Sequence, residues 1–149
     1  MKALTIYPDY CLDIYTGKKT IECRTWKTNY RGELLICAAK RPTPGFICGY
    51  AYFTVKLTDI EPFTRKHVKP ACLDGMPSGT CYAWHFEDIQ PVYPFQVRGK
   101  MGLFDVDDSQ IQYVLTDETD ALSDEEFAEF ANKYDKDYLI PITYKPVLL

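Results

Sequence analysis

Leu4 to Tyr7 is a short apolar run of strand character. Pro8 to Thr16 then takes helical spacing, with Pro8 in the first turn and Gly17 where the helix must stop. From Thr20 to Trp26 the pattern switches to a period of two. Ile21, Cys23 and Thr25 fall on one face, and Glu22, Arg24 and Trp26 on the other, as in a half-buried strand. A turn through Asn29 to Gly32 leads into Glu33 to Ala39, apolar enough to predict a strand buried on both faces. Arg41-Pro42-Thr43-Pro44-Gly45 reads as a loop, and Phe46 to Leu57 as a strand bent at Gly49. Thr64 to Val68 predicts a short helix ended by Pro70, with loop from Leu73 to Gly79. In the strand predicted over Thr80 to Ile89, Tyr82, Trp84 and Phe86 point one way and Cys81, Ala83 and His85 the other. Pro91 and Pro94 are expected to break it before a last pair of short strands, at Phe95 to Arg98 and Leu103 to Val106.

The pattern changes after Val106. A short strand is expected at Ile111 to Leu115, and then a helix whose start is fully written out. Ser123 is its N-cap, Glu126 the capping-box partner, and Leu122 and Phe127 the two ends of a hydrophobic staple. Phe127, Phe130, Ala131 and Tyr134 form its apolar stripe, followed by an extended segment from Tyr138 to Tyr144. These elements predict an α+β fold, a small mixed β-barrel of five to six strands with one or two flanking helices and a C-terminal helical extension. The expected division is a barrel domain over residues 1–106 and an extension over 107–149, whose helix packs on the barrel.

Charge sharpens that division. Residues 1–106 hold 14 Lys and Arg against 10 Asp and Glu, whereas 107–149 hold 3 against 11. The +4 body suits a polyanion bound by locally focused charge, and the −8 tail suits either a solvated face, a competitor for that polyanion or a surface for a protein partner. No stretch reaches the roughly 18 apolar residues of a membrane helix, and no signal-peptide pattern opens the chain, so a cytoplasmic protein without membrane contact is expected. The six cysteines show no C-x-x-C spacing and read as small buried hydrophobes in a reducing compartment. With His67 and His85 the only histidines, no metal site and no cofactor are expected.

Nucleic-acid binding calls for cations at phosphates and aromatic faces under unstacked bases. Lys19, Arg24, Arg31, Lys40, Arg41, Arg98 and Lys100 supply the first; Trp26, Tyr30, Tyr82 and Trp84 the second. Trp84 fits the core as well as it fits a stacking surface, because it lies on an apolar strand face. By spacing alone, Glu22 and Arg24 also fit a solvated ion pair.

Gly17, Lys19, Glu22 and Arg24 spell G-x-K-x-x-E-x-R, and the chain thereby resembles the ASCH family. The likeness continues through Thr25-Trp26-Lys27, Arg31-Gly32, Leu34 to Lys40, Cys48-Gly49, Tyr82-Ala83-Trp84 and Pro94 to Phe104. It covers roughly Met1 to Val106 and is nearest to the transcription-coactivator-like branch. The resemblance implies a PUA-like barrel with a cleft beside the signature strand that binds single-stranded RNA or a modified nucleotide. Lys19, Glu22, Arg24, Trp26, Arg31, Lys40, Trp84 and Lys100 are its expected ligand contacts. The alternative it implies is a small hydrolase, a ribonuclease or modified-nucleoside amidohydrolase, with Lys19 and Glu22 as catalytic residues. One ASCH branch removes the acetyl group of N4-acetylcytidine with a Lys, a Thr and a Glu; here Glu22 stands in the Thr position.

Overall fold

The computed structural model describes residues 1–146; residues 147–149, the end of the acidic extension, lie outside the described residues. Six strands, β1 (Lys2–Ile6), β2 (Ile21–Arg24), β3 (Gly32–Ala38), β4 (Tyr50–Pro62), β5 (Tyr82–Gln96) and β6 (Phe104–Asp105), form one sheet in the order β2-β5-β4-β3-β1-β6. Only β1 and β3 run parallel. They are linked through helix α1 (Pro8–Tyr15) and β2, and α1 buries Cys11 and Ile14 in the main core. Its end is as expected: Thr16 caps it, and Gly17 follows at φ +83°, a conformation a residue with a Cβ rarely takes.

The ladder does not close into a barrel, since β2 and β6 are its two edges. The sheet nevertheless coils far enough for a side chain to span the gap. Nη2 of Arg24, on edge strand β2, donates to the carbonyl of Thr5 on β1 at 2.7 Å, although three strands separate β2 from β1 in the sheet. Coiling of this degree needs local kinks. Three register shifts interrupt the long β4–β5 ribbon, and Asp88 takes φ +51° within β5.

Several boundaries differ from the sequence reading. Pro91 and Pro94 do not break β5, which continues to Gln96. Both lie beyond Phe86, past the end of β2: on that side β5 meets only the 112–114 segment, to which Pro91 contributes its carbonyl, and Pro94 falls in the register shift opposite Ala51 and Phe53. Phe46 to Gly49 precede β4 rather than belonging to it, and Ile47 makes only an isolated bridge to Thr143. Likewise Tyr113 makes one bridge to Val92 where a strand was expected. Tyr138 to Tyr144 is not extended; a π-helical turn (Asp135–Leu139) and a 3-10 turn (Ile140–Ile142) carry the helical path on.

In the extension, a short helix α2 (Asp117–Asp120) precedes α3 (Asp124–Tyr134), which has the expected Ser123–Glu126 capping box. Contact with the sheet is made at the far end of α3. Tyr134 is buried and donates to the carbonyl of Val92, and its ring stacks with that of Tyr138 beside Tyr93. Phe127 is left 41% exposed, so the staple end of the stripe faces outward.

Candidate ligand cleft

The signature residues divide between two environments. The Lys19 side chain is only 1% exposed. Its ammonium donates to the Ala71 carbonyl at 2.6 Å, lies 3.4 Å from Oε1 of Glu22 and sits over the Tyr10 ring. Glu22 is itself buried, and its other oxygen is 3.4 Å from Nη2 of Arg24. Lys19, Glu22, Arg24 and the Thr5 carbonyl thus form one polar chain that starts in the interior and ends at a large cleft. Desolvation, reinforced by Asp9 and Glu22, raises the Tyr10 hydroxyl above its usual range, so the lid on Lys19 is a neutral phenol at physiological pH.

That cleft, about 1020 Å³ in volume, is lined by sixteen residues, among them Arg24, Lys40, Arg98 and Lys100 and not one Asp or Glu. Lys19 and Glu22 do not line it. Trp26 supplies an aromatic wall two residues past the end of β2, steadied by an edge-on contact with Trp84 at 4.7 Å between ring centroids. Two buried polar atoms in the wall have no hydrogen-bond partner, Oγ1 of Thr5 and Nε of Arg24. Gly99 is pressed against Thr5 so closely that a Cβ there would lie 2.7 Å from Oγ1. The Arg98 to Gly102 loop can therefore lie flat on β1 only with glycine at that position.

Of the residues singled out in the sequence, Arg24, Trp26, Lys40, Arg98 and Lys100 lie together in this lining. Arg31 does not: its guanidinium bonds the Thr28 and Tyr30 carbonyls and approaches Asp59, outside the cleft. Trp84 is fully buried, and its indole N–H donates to the Trp26 carbonyl, so it lies in the core behind Trp26. His85 points away from the cleft, since β5 alternates and Trp84 and Phe86 occupy the inner face. Sequence reasoning missed Thr5, Tyr50 and Gln96. Their only signal is membership of strands whose coiling turns them to one place.

The curled mixed sheet is of the PUA-like fold class. Within that class the chain belongs to the ASCH family, whose ASCH domain model matches residues 4–146. The structure is similar to that of ASCH from Zymomonas mobilis (TM-score 0.57, 16% identity, 73% of this chain and 89% of that one). It is also similar to a tyrosine-to-phenylalanine variant of that protein (TM-score 0.52, 16% identity, 73% and 91%) and to a serine-to-alanine variant (TM-score 0.52, 14% identity, 89% and 94%). No curated protein matches the chain. Among the described residues no helix is long and apolar enough to cross a membrane.

Proposed function

We propose that the chain binds single-stranded RNA or a modified nucleotide in this cleft. The observation that carries the reading is the lining: four cations, no acid and one half-buried tryptophan around a volume large enough for a nucleotide. Arg24, Lys40, Arg98 and Lys100 would take phosphates, and Trp26 would stack on a base.

Binding is favoured over turnover by the place of Lys19 and Glu22. A general base must reach the proton it removes, and both groups are buried behind Arg24 with their polar atoms already engaged. In this reading Lys19 and Glu22 hold Arg24 in position, and hydrolysis by that pair is the weaker alternative. The six free cysteines suit a cytoplasmic setting, and the sequence motifs suit the coactivator-like branch of the family.

The test is anisotropy of a short fluorescent single-stranded RNA across a salt series, with wild type beside the double variant Lys40→Ala/Lys100→Ala. Both side chains are exposed, so the fold is kept. Four phosphate contacts predict a log–log salt slope of about −3, and the variant should bind at least about tenfold more weakly with a slope reduced by roughly 1.4. Equal binding by the variant, or none by wild type at low salt, would sink the reading. The latter result would turn attention to a protein partner on α3.

A further inference from the structure

On the opposite face of β5 the fold gathers the chain's only two histidines beside one carboxylate. We propose that Glu61, His67 and His85 form a binding site for one divalent transition-metal ion of the Zn²⁺ type. Nε2 of His67 is 2.9 Å from one Glu61 oxygen, and Nε2 of His85 is 3.4 Å from the other. All the donor atoms lie within 4.8 Å of one another. Ligands bound to zinc at about 2.0–2.2 Å in a tetrahedron are separated by roughly 3.3–3.5 Å, so only small adjustments are needed.

Orientation strengthens the case. Both Nε2 atoms are buried, yet neither makes an aligned hydrogen bond, even with the carboxylate oxygens so near. The nitrogens are therefore directed beside the carboxylate rather than onto it, as donors around a shared centre are. His67 is 2% exposed, while the His85 and Glu61 side chains are 30% and 32% exposed. The site is thus walled on one side and open to water on the other, the form of a three-ligand site with a free position.

The three ligands come from separate elements. Glu61 and His85 lie diagonally across the β4–β5 ladder, where Glu61 faces Ala83 and Asp59 faces His85. His67 comes from the 3-10 turn Arg65–His67, and the residues after it, Val68 and Ala71, pack with Ile21, Phe63 and Ala83. Nδ1 of His67 accepts the backbone N–H of Thr64 at 2.9 Å. Metal on Nε2 places the ring proton on Nδ1, so the capping-box bond from the Thr64 N–H is given up and Nδ1 can donate instead to the Thr64 hydroxyl 3.4 Å away. Desolvation pushes the Glu61 carboxyl up, but Lys66, His67 and His85 outweigh it and hold it below its usual range. The Lys66 ammonium, 3.4 Å from Glu61, is the cation that a metal ion would displace. An ion here clips the 65–73 segment to the sheet, and that segment supplies the Ala71 carbonyl that holds Lys19.

Cobalt is the probe, because its spectrum separates nitrogen and oxygen ligation from binding by the six cysteines. Titration of the full chain with Co²⁺ should show one equivalent bound, with visible d–d bands and no thiolate-to-cobalt charge transfer. His85→Ala and Glu61→Gln, both at partly exposed positions, should each weaken binding by more than about tenfold, while Lys66→Ala should tighten it. Thiolate charge-transfer bands, absence of binding at stoichiometric protein, or unchanged affinity in both ligand variants would overturn the proposal.

Discussion

At the scale of single residues, Lys19 is a motif position buried in the interior and outside the lining of the cleft. Its ammonium is dehydrated and held by the Ala71 carbonyl and Glu22, so replacing it leaves a buried carboxylate short of one partner. Lys19→Met should lower stability by about 3 kcal/mol in urea unfolding, the scale of breaking a buried pair from one side. Loss of RNA binding in that variant would therefore report on folding, whereas Lys40 and Lys100 report on the cleft. The sequence made the G-x-K-x-x-E-x-R spacing plain but not the depth of each side chain. Burial of Lys19 depends on Tyr10 and Ala71, which lie outside the motif.

Among the elements, α3 is the one most completely specified by local sequence. Ser123 accepts the Glu126 N–H, and the Glu126 carboxylate accepts the Ser123 N–H. Ser123→Ala should cost about 1 kcal/mol, measured as a fall in the unfolding midpoint. The same bonds, backbone first, hold the Glu126 carboxyl below its usual range. Its contribution is thus present at neutral pH and is lost as pH falls through that lowered value, and Glu126→Gln should flatten this part of the acid-stability profile. Strand β5 was less legible. Proline is a local stop signal, whereas the carbonyl-only use of Pro91 by the 112–114 segment and the register shift that holds Pro94 are properties of the sheet.

For the whole molecule, the near-closure between β2 and β1 is the decisive contact. A single guanidinium meets Glu22 and the Thr5 carbonyl, joining the sheet's edge to its interior where no ladder does. Arg24→Ala should raise hydrogen exchange at the Ile21–Arg24 amides by on the order of tenfold while β3 and β4 keep their protection. Unchanged exchange in β2 would show that coiling of the β4–β5 ribbon alone holds the edge in place. Among the described residues, the acidic extension contributes nothing to the lining of the cleft. Among the described residues its ion pairs join Met1 to Asp108 and Lys133 to Asp137, and none reaches Arg24, Lys40, Arg98 or Lys100.

By itself the sequence determined the elements with strong local chemistry: α1 between Pro8 and Gly17, the alternation of β2 and the inner part of β5, the cap of α3, and five of the cleft's cationic and aromatic residues. These follow from periodicity and capping, which act over a few residues. Only the tertiary structure decided that the sheet coils without closing, that Trp84 is core, that Arg31 lies apart, and that Glu61, His67 and His85 meet. Each of those depends on side chains brought together across strands, and the twist and bulges that align them arise from the whole sheet.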